Sequence, residues 1–426
     1  MLRKRAVVAA AAALTTVLVL AGCGRSNGSD AGGSAATISS GKAKGTIKVW
    51  AQGAEAQFLP EIVKGFEKEN PDAKVEITAI PWASAHQKYQ TAIAGGSTPD
   101  LAQMGTTWMA DFADAFQTVP DAVDTSGMYD SAVNAAKVDG VNAGVPWYVD
   151  TRAIYYRKDL AEKAGYSTPP TTWDGLKAMA KAMQEKAGAK FGMSLPTGAV
   201  ADDFQLILPF LWSNGGELTN ADGTKWTFDT SANVKAMEYI NSYFTDGISN
   251  KSADTAVGAN EANFANGSVP MLINAPAEIS QLAQAGGGDA FKDKIGVMRF
   301  PKEKSSTSFV GGSDLAVFKK ASNADGAWKL VQYLSKPDVQ AQFWKLTGDL
   351  PSVDSAWDKG ELKSDPLLQV FRDQLGDTKS PPANTGWTQV SSDADSQLEK
   401  MVRGGSSPAE AMKALQSAAD GVGTGK

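Results

Sequence analysis

Residues 46–80 leave few folds open to this chain. Thr46-Ile47-Lys48-Val49-Trp50-Ala51 has the partial alternation of a strand. Phe58, Ile62, Val63 and Phe66 then recur at helical spacing as far as Asn70-Pro71, and Val75-Glu76-Ile77-Thr78-Ala79-Ile80 alternates again. Strand, helix and strand in this order make a βαβ unit, which predicts a parallel sheet in an α/β protein. At 426 residues the chain is long for a single core, so two domains are expected.

Ligands of open α/β sheets gather at the carboxyl ends of the strands. The first such turn is Gln52-Gly53-Ala54-Glu55, where Glu55 reads either as a ligand contact or as a first-turn acid complementing the helix dipole. A second candidate is residues 144–160, GVPWYVDTRAIYYRKDL. Pro146 cannot donate to a sheet ladder and belongs at the start of a strand. Trp147 and Tyr148 stand beside the acid Asp150 and the base Arg152, and Ala153-Ile154-Tyr155-Tyr156 continues with strand propensity. A polar-aromatic knot passing from loop to sheet is a candidate hinge and binding site; the alternative is a half-buried strand with a surface ion pair.

Further elements follow in order. A helix opens at Pro81-Trp82 and ends at Gly95-Gly96, carrying His86, the only histidine, which with no cysteine nearby cannot make a zinc site of the usual composition. A short strand ends at Gly105, and Trp108 after it either stacks on a ligand ring or packs with Phe112 and Phe116. Thr171-Thr172 caps a helix whose Leu176, Met179 and Met183 belong to the core. Val269 to Asn274 reads as a strand, followed by a helix opening near Glu278. The run Phe309-Val310-Gly311-Gly312-Ser313-Asp314 opens the strand Leu315-Ala316-Val317-Phe318 and so lacks the context of a phosphate loop. Trp387, on a loop rich in Pro and Gly, is a better ligand candidate than an aromatic on a helix face.

The N-terminus carries its own signals. Met1-Leu2-Arg3-Lys4-Arg5 is a basic head, residues 6–20 are apolar but too few to span a bilayer, and Leu20-Ala21-Gly22-Cys23 resembles a bacterial lipobox. That resemblance implies a lipoprotein signal peptide over residues 1–22 and a lipid on Cys23, the only cysteine; a simple signal peptide with a spare cysteine is the alternative. Residues 23–45, rich in Gly, Ser and Ala, read as a flexible tether reaching about 25 Å. Removal of Arg3, Lys4 and Arg5 takes the formal charge from −6 to −9, which argues against a nucleic-acid partner.

The knot Val-Pro-Trp-Tyr-x-Asp-Thr-Arg followed by Tyr-Tyr-Arg-Lys-Asp-Leu resembles the interdomain segment of the extracellular solute-binding proteins of bacterial carbohydrate ABC transporters, the maltose- and trehalose-binding group. The Pro99-Asp100 strand, Asn214-Gly215-Gly216, Ala275-Pro276 and the glycine run at 311–312 match the same family. The resemblance implies a two-lobed periplasmic-binding-protein-like fold of type II. Each lobe would be a mostly parallel sheet flanked by helices, with the ligand cleft between lobes. The N-terminal lobe would comprise 46–149 plus 314–352, and the C-terminal lobe 150–313 plus 353–426.

It places sugar contacts at Gln52, Glu55, Thr106, Thr107, Trp147, Tyr148, Asp150 and Arg152, and at Asp203, Gln205, Asn274, Glu278, Gly311, Gly312, Ser313 and Trp387, with no catalytic residue, metal or cofactor. Thr107 stands where some relatives carry an acid, and Ala277 where a stacking tryptophan is expected. The implied function is capture of a mono- or oligosaccharide, such as an α-glucoside, by hinge closure and its delivery to a membrane permease, the protein acting as a monomer on the extracytoplasmic face. Two rivals remain. A secreted glycoside hydrolase needs two carboxylates about 5–9.5 Å apart, and a ferric-ion binder is suggested by Tyr155-Tyr156, although adjacent strand residues point to opposite faces.

Overall fold

The computed structural model describes residues 37–252 and 255–425; the basic head, the apolar segment and Cys23 lie outside them. The expected tether stops short of residue 39. Ser39 donates backbone and side-chain hydrogen bonds to Asp325 at 2.6 and 2.9 Å, and Ala43 is fully buried, so residues 39–45 are pinned to the folded body.

The strands, in chain order, are β1 (Gly45–Gln52), β2 (Ala73–Ile80), β3 (Leu101–Gly105), β4 (Lys137–Val138), β5 (Val141–Asn142), β6 (Val145–Thr151), β7 (Ala153–Arg157), β8 (Met271–Asn274), β9 (Ile295–Met298), β10 (Ser308–Val317), β11 (Leu350–Pro351) and β12 (Thr378–Lys379). The larger sheet runs β11-β6-β10-β3-β1-β2, with β12 paired to the start of β10. The βαβ expectation holds: β1 pairs with β2 in parallel from Gly45↔Ala73 to Gln52↔Ile80, and the helix Gly53–Glu69 joins them. Phe66, Leu59 and Ile62 of that helix meet Trp328 and Phe343 in the core over this sheet.

The smaller sheet, β8-β7-β9, is antiparallel at both pairings and not mostly parallel. Strand β7 leaves the ligand edge directly from β6, whereas β8 and β9 run toward that edge, with Asn274 opposite Ala153 and Met298 opposite Ile154. A strand that departs from an edge and strands that arrive there must be antiparallel. The core beside it contains Trp173, Phe210, Trp226 and Trp387 with Met179 and Met183.

The glycine run is also placed differently from expectation. It is the middle of one continuous strand, β10, hydrogen-bonded to β6 from Val310↔Thr151 to Leu315↔Val145 and to β3 from Ser313 to Val317. Pairing of Gly311 and Gly312 with Asp150 and Val149 of β6, inside a strand held by β3 further along, overrides the low strand propensity of glycine. The register slips between Ser313 and Asp314, opposite Pro146, whose missing N–H interrupts the ladder. Gly312 has φ +125°, and a Cβ there would lie 2.2 Å from the Tyr148 carbonyl oxygen, so only glycine fits.

Candidate ligand-binding site

The carboxyl ends of β1, β2 and β3 deliver Glu55, Trp82 and Thr106-Thr107-Trp108 to one edge of the larger sheet. The ends of β2 and β3, together with β6 and β10, wall a cavity of about 660 Å³, lined among others by Trp82, Trp108, Asp150, Arg152, Gln205 and Asp395. Trp82 and Trp108 meet edge to face with centroids 5.4 Å apart, and His86, bonded to Asp111 at 2.8 Å, supports Trp108 from behind. The Asp150 carboxylate and the Arg152 guanidinium form an ion pair, with the guanidinium 4.9 Å from the centre of the Phe309 ring.

Residues 198–202 close the opposite wall. Asp203 holds this loop by accepting from the backbone amides of Thr197, Gly198 and Val200 at 3.2, 2.8 and 3.3 Å. Asp395 accepts from those of Asp202 and Phe204 at 2.9 and 2.7 Å. Burial pushes the Asp395 carboxyl up to about 6 against these amides, and raises that of Asp203. Gly198, at φ +80°, packs against the helix Trp387–Val402 so closely that a Cβ would sit 2.2 Å from the Asp395 carbonyl oxygen.

A second cavity of about 330 Å³ adjoins the first and shares Trp82, Asp150 and Gly312 with it. Its floor is a hydrogen-bonded set. The Tyr148 hydroxyl donates to Glu55 Oε1 at 2.5 Å, Gln103 Nε2 donates to the same oxygen at 3.0 Å, and the Ser313 hydroxyl donates to Tyr148 at 3.0 Å. Asp349 completes the wall, its carboxyl pushed up to about 7 by burial and by Glu55.

The sequence profile of the bacterial extracellular solute-binding proteins matches residues 50–341. The chain belongs to this family. The sugar-binding protein MalE of Xanthomonas citri is 31% identical and superposes with a TM-score of 0.83 over 89% of this chain and 97% of that one. The GacH receptor of Streptomyces glaucescens, solved unliganded and with acarbose, is 26% identical with a TM-score of 0.74 over 89% and 99%. The diacetylchitobiose binding protein DasA of Streptomyces coelicolor is 23% identical over 428 residues, 97% of each chain. The two-lobed α/β architecture of MalE is thus the architecture of this solute-binding protein.

Of the residues expected at the site, Thr106, Thr107, Asp150, Arg152, Gln205, Gly311, Gly312 and Trp387 line the first cavity, and Glu55, Tyr148, Asp150 and Gly312 line the second. Trp147 does not reach either. Strand alternation turns it away from Tyr148 into the core, where it stacks on Phe343 at 4.5 Å. Gln52 is fully buried behind the site and donates to Tyr89 at 2.6 Å. Ser313 is a buried support for Tyr148, and Asp203 is a brace for the 198–202 loop. Asn274 and Glu278 bond each other at 2.6 Å away from both cavities.

Trp387 is not a loop aromatic. It is the first residue of its helix, buried, 6.4 Å from Trp226, and only part of it contributes to the cavity wall. Of the adjacent tyrosines, Tyr155 is fully buried and donates to the Ala275 carbonyl at 2.7 Å, so it faces no ligand.

Sequence reasoning missed Trp82 and also Thr388, Ser391, Ser392 and Asp395 as residues lining the first cavity. Both had a signal. Trp82 follows the carboxyl end of β2, and the polar residues after Trp387 recur at helical spacing on one face.

Proposed function

We propose that this protein is the substrate-binding component of an ABC importer and captures a neutral sugar by closing two lobes over it. The observation that carries this reading is the 660 Å³ cavity, in which the Trp82 and Trp108 rings stand with the Asp150–Arg152 pair and Gln205. The volume falls in the range of about 300–1,000 Å³ usual for small-molecule sites. Aromatic faces suit the C–H surface of a pyranose, and fixed carboxylate, guanidinium and amide groups suit its hydroxyls. The sugar named for several relatives supports the same reading.

Each hydrogen bond to a charged partner contributes about 1.5–3 kcal/mol net, so micromolar affinity takes several, drawn from both sides of the cleft. The lobes we assign to closure are residues 46–149 plus 314–352 and residues 150–313 plus 353–426. A ligand lacking a hydroxyl that the site meets leaves a buried polar group unpaired, which is the source of discrimination. The loaded monomer then docks on membrane permease subunits.

Calorimetry of a chain begun at residue 37 against maltose, trehalose, cellobiose, xylobiose and diacetylchitobiose tests this, with tryptophan fluorescence and reducing-sugar release followed on the same samples. Micromolar binding with a change in fluorescence and no product is expected. Release of product would make the protein a hydrolase, and no binding to any sugar would overturn the reading.

We propose further that Cys23 carries a lipid that holds the protein at the outer face of the cytoplasmic membrane. Cys23→Ala in the full chain is expected to move most of the protein from the membrane fraction to the soluble fraction and to abolish palmitate labelling. Unchanged labelling would reject the anchor.

A further inference from the structure

A cavity of about 230 Å³ shares no residue with either cavity of the candidate site. Ser268 and Val269, which border it, come just before β8, and β8 then runs to Asn274 opposite Ala153. The cavity therefore sits at the end of the smaller sheet away from the ligand edge. Residues 190–195 form one wall. They are held by donation from the Lys190 and Phe191 amides to the Ser268 carbonyl at 2.9 and 3.1 Å, and from the Ser194 amide to the Met271 carbonyl at 2.7 Å. The helix Ala259–Asn266 contributes Asn260 and Asn263.

The lining separates into two parts. Met193 and Leu195 are buried, Phe191 and Val269 are half-buried, and together they give a fixed apolar floor. The polar groups left over are donors. Asn260 Oδ1 accepts from the Ser194 hydroxyl at 3.0 Å and Asn263 Oδ1 from the Ser268 hydroxyl at 3.1 Å, which leaves the Nδ2 group of each without a partner among the described residues. Lys190 Nζ lies 5.5 Å from the centre of the Phe191 ring and pairs with no described carboxylate. Among the described residues no acid lines this cavity, although the chain has a formal charge of −6 and both cavities of the candidate site hold carboxylates.

We infer that this cavity is a second binding site, for a small organic carboxylate with an apolar body. An ammonium and two amide N–H groups match a carboxylate, which when ionised has only acceptors. A neutral polyol brings hydroxyl protons that need acceptors, and Asn260 and Asn263 have already committed theirs to the serines. The apolar floor favours a hydrocarbon body over a bare inorganic anion. The volume, below the usual range of about 300–1,000 Å³, limits that body to a single ring or a short chain. The site is independent of sugar capture in the cleft.

Saturation-transfer NMR titrations with benzoate and hexanoate test this, with benzamide and inorganic phosphate as controls that lack the charge and the hydrocarbon respectively. Wild-type protein is expected to bind at least one of the two acids and neither control at the same concentrations. Lys190→Gln removes the positive charge and is expected to weaken acid binding by about fivefold. Asn260→Asp keeps an acceptor for the Ser194 hydroxyl but replaces a donor by a negative charge, and is expected to abolish acid binding. Both positions are exposed, so melting curves equal to wild type are expected of both variants. Binding of neither acid, a control that binds as tightly as the acids, or acid binding unchanged in both variants would overturn the site.

Discussion

Asp150→Ala is expected to weaken ligand binding by one to two orders of magnitude, about 1.5–3 kcal/mol, with little change in melting temperature. Asp150 borders both of the first two cavities, so its carboxylate is placed to accept from hydroxyls on either side of it. It also neutralises Arg152, whose side chain is 15% exposed and rests on Phe309. The substitution removes an acceptor and leaves that cation without its partner, in a site that must lose water on binding. Stability is affected far less, because the Asp150 side chain is 30% exposed and such pairs contribute about 0–1 kcal/mol to folding. Calorimetry and thermal melting of the same preparation separate the two effects, and an unchanged affinity would remove Asp150 from the site.

The second large effect concerns pH. Asp314 lies in β10, 2% exposed, with Oδ2 lacking a hydrogen-bond partner, and burial pushes its carboxyl up to about 7. Its folded pKa is thus above the unfolded value of 3.8, and between the two the folded state holds the proton more often than the unfolded chain. Stability is therefore greatest below the unfolded value and falls as pH rises toward 7, by on the order of 4 kcal/mol from this group alone. Glu278 and Asp349, each raised to about 7 chiefly by burial, act in the same direction. Urea unfolding at pH 5 and pH 8 is expected to give the larger free energy at pH 5. Asp314→Asn is expected to flatten that difference by most of the Asp314 share, whatever its effect on the absolute level. An equal pH dependence in the variant would show that Asp314 ionises in the fold without cost.

What could be read from the sequence was what depends on neighbours in the chain. The βαβ unit was legible because alternation and helical spacing are local, and Pro146 at the start of β6 because proline has one backbone geometry. The antiparallel smaller sheet was not, since β7 meets β8 more than a hundred residues later and nothing in Ala153–Arg157 encodes that direction. The site was legible as a place, the end of β6, but less so as a set of side chains. Trp147 and Tyr148 are alike in sequence, and only the face of the strand sends one to Phe343 and the other to Glu55. Trp387 looked free because Pro and Gly precede it, while the residue that covers it, Trp226, comes from far away in the chain.

The position of β10 has a bearing on how the protein is made. This strand fills the gap between β3 and β6, yet it is synthesised about 210 residues after β3. At ribosomal speeds of about 5–20 residues per second, β3 and β6 wait roughly 10–40 s for the neighbour they share. The first sheet cannot close as it emerges, and contacts this distant in sequence also form slowly once the chain is complete. A polypeptide with this connectivity keeps its larger sheet open at the centre until β10 has been made.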